Sequence, residues 1–359
     1  MTSIDDGRLF DVPELGPTSL LDKWGVPPFS VLDSRQGYWR ERRQRWISFG
    51  IESVEGRAAF EEGTEAKGLL FKSSGARDSS FYRQKRECEA ALGRELSYHE
   101  FESEHYVNKQ LGSGLSQTGT SVFDPVLCET IYRWFSAPGS RILDPFAGGS
   151  VRGIIAGLMG RVYLGVDLSS AQVKANEKQA GEFFGTHDDP AYVLPTWRVG
   201  DAREISDLPI YDLIFSCPPY YNLEVYSDDP RDLSAMSADE FDETYRIAID
   251  RALATLKPNR FACFVVGDVR DSKGLYRNFP GKTIQAFIDA GASLYNEVIF
   301  INEIGSLPVR AGRPFAATRK VGKAHQNVLV FVKGDPRIAA DACASDDLEI
   351  PEELEEAAA

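Results

Sequence analysis

Asp212-Leu-Ile-Phe-Ser-Cys-Pro-Pro-Tyr220 is the segment whose residue types and order best fit a chemical task. An apolar run reads as a strand, and two prolines at its end fix φ and remove two backbone donors. The carbonyls there can point into a crevice, and an aromatic ring follows at once. Such a corner suits a flat base with an exocyclic amine: carbonyls accept from the amine, and the ring takes the base face. Alone, the segment reads equally as a proline turn with a core tyrosine. Three other segments change that. Leu143-Asp-Pro-Phe-Ala-Gly-Gly-Ser150 is a strand ending in a carboxylate and turning through glycines into a helix, which is how doubly wound folds build nucleotide crevices. It is neither GxGxxG nor a phosphate loop, so neither pyrophosphate nor triphosphate binding is implied. Asp167 ends the next strand, 23 residues after Asp144, where a carboxylate can accept both ribose hydroxyls. Gly200-Asp201-Ala202 ends the strand after that, where an acceptor can read an adenine amino group. One acid at a strand end is commonly a helix cap; three at successive ends beside a glycine turn form a pattern.

These corners need strands and helices to bring them together. Short strands are expected at Arg141–Asp144, Val162–Val166, around Trp197, at Leu213–Ser216, Phe261–Val266, Glu297–Asn302 and Asn327–Val332. Helices are expected from Asp124 to Phe135, through Met159, over Ala171–Phe183, Ala238–Leu256 and Lys282–Ala290. Asp124-Pro125 reads as an N-cap followed by a first-turn proline. Strands alternating with helices predict an α/β fold, a doubly wound, mostly parallel sheet with helices on both faces. Upstream, the first thirty residues read as irregular, Gln36–Phe49 as a helix with Trp39, Trp46 and Phe49 on one side, 51–80 and 113–121 as loops, and 80–111 as a charged helix. The expected division is an N-terminal extension, helical and irregular, over 1–115, a catalytic-type domain over 116–335, and an acidic disordered tail over 336–359.

Composition limits the alternatives. The 359 residues are 43% hydrophobic and 26% charged, ordinary for a globular chain. No apolar run approaches the roughly 18–20 residues of a membrane helix, and the first residues lack the basic-then-apolar order of a secretory signal. Five scattered cysteines form no CxxC pair, and His99, His105, His187 and His325 form no ligand spacing; neither a metal site nor a disulfide framework is expected. A reducing cytoplasm is the expected location. Net charge is −14, which by itself argues against a polyanionic partner. Its distribution says otherwise. From Asp335 onward nine acids face one base, so the rest of the chain carries only −6. Between Ile304 and Gly334 no acid occurs, while Arg310, Arg313, Arg319, Lys320, Lys323 and Lys333 give +6. Arg35, Arg40, Arg42, Arg43 and Arg45 surround Trp39 with one acid, Glu41. Such runs are either solvated faces or contacts for a polyanion.

With Asp144-Pro145-Phe146-Ala147-Gly148-Gly149 preceding Cys217-Pro218-Pro219-Tyr220, the chain resembles the S-adenosylmethionine-dependent DNA amino-methyltransferases, which methylate cytosine N4 or adenine N6. Their signatures are a DPF-x-G turn and a motif of Asp, Asn or Ser, then Pro-Pro, then Tyr or Phe. The resemblance spans about 210 residues, Val122 to Lys333, and extends to phage and prophage modification methylases, including the run Leu223 to Ser234. It implies a seven-stranded-type methyltransferase sheet, S-adenosylmethionine as cofactor, double-stranded DNA as partner, no membrane, and a bacterial or phage-infected cytoplasm. By that resemblance Asp144, Phe146 and Gly148, with Pro145, Ala147 and Gly149, line the methionine end. Thr120 or Ser121 approaches the methionine carboxylate, Asp167 and Leu168 hold the ribose, and Asp201 and Ala202 the adenine. The Pro218 carbonyl and residue 217 accept from the target amine, Pro219 stiffens the corner, and Tyr220 stacks on a base that has left the duplex. Arg310, Arg313, Arg319, Lys320, Lys323 and His325 are the DNA-facing candidates, with Arg40 and Arg43 from the N-terminal cluster.

One position departs from the pattern. Cys217 stands where the family has Asp, Asn or Ser, and a thiol is a weak acceptor. Either backbone carbonyls suffice, or the thiolate adds to a pyrimidine ring in carbon-5 methylation; in that class proline commonly precedes the cysteine, and here Ser216 does. A methyltransferase acting on RNA or a free nucleotide, and a non-catalytic nucleic-acid-binding relative, are the other readings.

Overall fold

The structure, a computed structural model, describes residues 24–49, 123–187, 189–221, 229–302 and 307–343, without the side chains of 309 and 310. The expected loops at 51–80 and 113–121 and the helix at 80–111 lie outside the described residues.

In chain order the elements are β1 (Val31–Asp33), α1 (Gly37–Ser48), α2 (Pro125–Phe135), β2 (Arg141–Asp144), α3 (Val151–Leu158), β3 (Val162–Asp167), α4 (Ser170–Thr186), β4 (Thr196–Val199), β5 (Tyr211–Ser216), α5 (Ala238–Thr255), β6 (Leu256–Val266), α6 (Phe279–Asp289), β7 (Ser293–Ile301), α7 (Leu307–Thr318), β8 (His325–Lys333) and α8 (Pro336–Asp341). Eight strands form one sheet in the order β1-β7-β8-β6-β5-β2-β3-β4. All pairings are parallel except those of β8, which runs antiparallel to β6 and β7. The chain moves outward from β2 through β3 to β4, then returns past β2 to β5. The carboxyl ends of β2 and β5 therefore flank the point where strand order reverses, the place where open α/β sheets form a crevice.

Period-2 side-chain alternation divides the core into two layers. Phe261, Cys263 and Val265 of β6, Leu213 and Phe215 of β5, and Val328, Val330 and Val332 of β8 bury against α1–α4 and α8. Ala262, Phe264, Val266, Ile214, Leu329 and Phe331 bury on the opposite face, against α5 and α6. Both faces being covered explains why these strands read as unbroken apolar runs. Asp124 caps α2, accepting from Val126 N and Leu127 N at 2.9 and 3.1 Å. Ser237 and Glu240 form a reciprocal capping box on α5.

Four expectations need correction. The sheet has eight strands among the described residues, not seven, because β1, from the segment read as irregular extension, pairs in parallel with β7. Three residues are too short to show a strand period. Next, α1 belongs to the same core: Trp39 is fully buried and its Nε1 donates to Asp124 at 3.3 Å. Glu129 of α2, wholly buried, accepts from Arg42, Arg133 and Trp46 at 2.6–2.9 Å. Burial opposes its charge, yet these donors hold its carboxyl below the usual range. A boundary at residue 115 therefore cuts through packed structure. Third, the acidic tail begins too early at 336: α8 is capped by Asp335 and buries Ala339. Fourth, strand β6 starts at Leu256 rather than Phe261: Asn259, at φ 54°, lies within it and the strand continues.

Trp39→Ala should cost about 3–5 kcal/mol of unfolding free energy, the range for a fully buried aromatic, whereas a side chain on a detached extension would change it by less than about 0.5 kcal/mol. Urea denaturation of the full chain decides between the two.

Candidate functional site

The crevice is built on one carboxylate. Asp144, at the end of β2, has no solvent exposure. Its Oδ1 accepts from Ser216 Oγ at 2.6 Å and from Phe146 N at 3.2 Å, and its Oδ2 accepts from Arg152 Nε at 2.6 Å and from Tyr163 Oη at 2.8 Å. The Asp144 carboxylate points into the protein, with two donors on each oxygen. Arg152 also donates to the carbonyls of Phe146 and Ala147, both at 2.8 Å. Burial opposes its charge, but Asp144 beside it drives its pKa above the ordinary guanidinium value. Burial and then Asp144 push the Tyr163 hydroxyl well up, so it stays a neutral donor.

The glycine turn is thus held from beneath. Gly148 takes φ +52°, in the left-handed region glycine enters without strain. Its N–H donates to Asp167 Oδ2 at 2.9 Å, and its carbonyl accepts from Asn176 Nδ2 at 2.7 Å. Asp167 Oδ1 accepts from Ser169 N at 2.8 Å. The second strand-end acid is therefore tied to the turn itself, with Leu168 half-buried beside it. Asp201 is mostly buried and grips Arg203: Oδ1 accepts from its N and Nε at 2.9 Å, and Oδ2 from Nη2 at 2.5 Å. Burial opposes the charge, but Arg203 holds the carboxyl below the usual range. Ala202 is buried next to it. Thr120 and Ser121 lie outside the described residues.

Across the reversal point, Ser216 carries two contacts to the turn: its Oγ donates to Asp144 and accepts from Phe146 N at 3.2 Å. Cys217 follows directly, half-buried, its Sγ 3.6 Å from Tyr220 Oη. That hydroxyl accepts from Gln326 Nε2 at 2.9 Å and donates to the Val265 carbonyl at 3.3 Å. Gly267 lets the ring in: a Cβ there would stand 3.1 Å from it. Pro218 and Pro219 make the corner, and Tyr221 completes it at φ 53°. This strained residue is held on all sides. It stacks on Phe241 at 4.0 Å, donates its hydroxyl to Asp242, and accepts from Lys282 Nζ at 3.1 Å, while Lys282 pairs with Asp242. Burial first, then Asp242, raises its pKa. No motif signals Tyr221, Asp242 and Lys282, because their association is tertiary. Arg152 had a faint signal, a lone cation in the otherwise apolar Val151–Leu158.

The basic candidates divide. Strand β7 ends and β8 begins at the sheet edge where β2, β3 and β5 end, and from there Gln326 of β8 reaches Tyr220. Arg313 and Arg319 are exposed. Lys323 Nζ lies 3.3 Å from His325 Nε2, and burial followed by Lys323 lowers the His325 pKa. The side chain of Arg310 lies outside the described ones. In α1, Arg42 is spent on Glu129 and Arg43 approaches Asp124 at 4.0 Å, so Arg40 alone of the two named there is exposed. Among the described residues no helix is long and apolar enough to cross a membrane, and no group of three metal-ligating side chains occurs.

No protein-family model and no curated protein matches this chain. Solved structures resemble it faintly. TrmN from Thermus thermophilus aligns at 17% identity over 60% of this chain and 51% of its own, with a TM-score of 0.40. A methyltransferase from Pyrococcus furiosus aligns at 15% identity over 71% and 96%, TM-score 0.40. Magnesium protoporphyrin IX methyltransferase from Synechocystis PCC 6803 aligns at 13% over 58% and 83%, TM-score 0.39. The chain spans about half the length of the TrmN chain it matches. Likenesses of this strength leave the site to be read from its own residues.

Arg152→Met should destabilise the fold by about 3–5 kcal/mol, since it strands a buried carboxylate. Asp144→Leu added to it should recover part of that loss, because the pair and not either charge is what the core requires. A double variant no more stable than Arg152→Met, measured by denaturant titration, would contradict this account.

Proposed function

We propose that this protein is an S-adenosylmethionine-dependent methyltransferase acting on DNA, at the exocyclic amine of a base, cytosine N4 or adenine N6. The observation that supports the reading is one juxtaposition. A glycine turn locked to a strand-end acid and a stiff Cys-Pro-Pro-Tyr corner face each other across the strand-order reversal, joined by Ser216 on Asp144. The donor set fits the cofactor: a left-handed Gly148 for close backbone approach, Asp167 for the ribose diol, and Asp201 with Ala202 for the adenine. Bound there, S-adenosylmethionine supplies an electrophilic sulfonium methyl.

The chain's own residues bind and align. The Pro218 carbonyl accepts from the target amine and draws its lone pair out of conjugation with the ring. Tyr220, anchored through its hydroxyl by Gln326 and Val265, offers its ring to the base. No strong general base is needed, so alignment is the large contribution. Asp144, Ser216 and Arg152 act as positioning residues beneath the corner. Carbon-5 chemistry has one observation in its favour: Cys217 lies within electrostatic reach of the buried Arg152. Arg152, however, is already paired with Asp144, whose opposite charge offsets that field.

Nucleoside mass spectrometry of host DNA, with and without expression, tests the reading. N4-methylcytosine or N6-methyladenine should appear; a 5-methylated pyrimidine, or methylated RNA with unmodified DNA, would overturn it. Cys217→Ser should stay active, because position rather than a thiolate is required, and a serine hydroxyl cannot replace a nucleophilic thiolate. Tyr220→Ala should lose about 1–3 kcal/mol of transition-state stabilisation as the stacking platform goes. By calorimetry, Asp167→Ala should weaken S-adenosylmethionine by about 1–3 kcal/mol; an unchanged Kd in a folded variant removes Asp167 from the ribose role. Neutralising Arg319, Lys320 and Lys323 together should flatten the salt dependence of DNA binding, the slope falling by about 0.9 for each phosphate that these cations neutralise in the parent.

A further inference from the structure

We propose that the hairpin from Val269 to Arg277 is a wedge. Its tip, Leu275 and Tyr276, enters a DNA duplex beside the target and fills the gap left by the extruded base. This rests on the reading of the site as one that methylates a base in duplex DNA.

Position is the first argument. Strand β6 ends at Val266, Gly267 touches the ring of Tyr220, and the hairpin begins two residues later. Its other strand runs at Phe279 into α6, whose Lys282 holds Tyr221. The hairpin thus rises from the two segments that clamp the Cys-Pro-Pro-Tyr corner. An object there meets whatever flanks a base seated on Tyr220.

Rigidity is the second. Arg277 N donates to the Val269 carbonyl at 2.9 Å and Asp271 N to the Leu275 carbonyl at 2.8 Å. The sole acid of the hairpin, Asp271, spends its Oδ1 on Leu275 N at 2.9 Å. Gly274 turns at φ +85°, and its carbonyl accepts from Arg270 Nη1 at 2.9 Å. A tip held this way keeps its shape without a partner.

The third argument is chemical. Leu275 and Tyr276 are 64% and 46% exposed, adjacent, and backed by charge. The Arg270 guanidinium sits 3.8 Å from the Tyr276 ring centroid and Lys323 Nζ 6.0 Å from it, while Lys320 Nζ lies beside Gly274. The Arg277 guanidinium lies 4.9 Å from the Tyr221 ring centroid, which ties the base of the hairpin to the corner. Two apolar side chains are too few for a protein interface. Ringed by cations they match the apolar wedges that DNA-bending proteins insert between base steps, where phosphates lie on both sides. Extruding a paired base costs a few kcal/mol, and a side chain occupying the vacated space lowers that cost.

The test compares the parent with Leu275→Ser/Tyr276→Ser in the full chain. The substrate is a duplex carrying the modified site found by sequencing host DNA, with 2-aminopurine at the target position for the fluorescence arm. Both side chains being exposed, the melting temperature and S-adenosylmethionine affinity should match the parent. The 2-aminopurine fluorescence rise on binding should be lost, and turnover should fall by roughly tenfold or more, the scale set by unpairing. An abasic position opposite the target, which removes the pair to be broken, should restore the variant's turnover to near the parent's. Parent-like turnover by the variant on paired duplex, or no rescue by the abasic partner, overturns the wedge while leaving the methyltransferase reading intact. If the parent itself methylates no DNA, the underlying reading fails and the wedge with it.

Discussion

A carboxylate sealed from water must be met by donors on every side, since an unpaired buried charge costs several kcal/mol. Asp144 meets two on each oxygen, and each comes from a different part of the fold: the turn after β2, the start of α3, the start of β3 and the end of β5. The glycine turn, the strand beside it and the proline corner are therefore not independent loops that happen to adjoin. They are three ends of one hydrogen-bonded node. Arg152 extends the node by taking two turn carbonyls, and Tyr132 of α2 reaches it by donating to the Arg152 carbonyl at 2.8 Å. Any movement of the turn relative to the corner would expose or strand a charge.

The node also gives the N-terminal segment a structural purpose. Helix α2 carries Tyr132 on one side and Glu129 on another, and Glu129 is neutralised by Arg42 from α1 and Arg133 from its own helix. A second buried ionic cluster thus fastens α1 to the layer that supports the turn. The arginines of α1 that look like a polyanion contact in sequence are in part internal counter-ions. Residues 307–325, in contrast, offer cations with few internal acids, and the sheet topology delivers them to the crevice side. The charge of −14 is thus compatible with a polyanionic partner, because what matters to such a partner is the local field at the rim.

The opposite wall shows a different device. Tyr221, held at a positive φ by Asp242, Lys282 and the face of Phe241, stores backbone strain immediately after the corner. Strain of this kind, on the order of 1–3 kcal/mol, persists only where surroundings over-determine it. Here α5 and α6 supply them. The corner is fixed from below by Asp144 and from behind by Tyr221.

Much of this was legible in the residues. The alternation of strands and helices, the parallel sheet, the caps of Asp124 and the acids at successive strand ends all depend on local pattern: side-chain period, proline and glycine backbone limits, and short-range capping. A sequence exposes these because each is decided within a few residues. Tertiary structure alone decided where charges went. Asp144 and Asp167 look alike in sequence, both acids at strand ends, yet one is sealed by Arg152, Tyr163 and Ser216, while the other binds the turn at the crevice edge. The partners that separate them are up to 72 residues away. The same holds for β1, three residues that become a strand only because β7 presents an open edge, and for Tyr221, whose left-handed backbone needs neighbours 21 and 61 positions distant. Local sterics are written along the chain, but the desolvation of a charge depends on what the fold packs around it, and that exists only once distant segments have met.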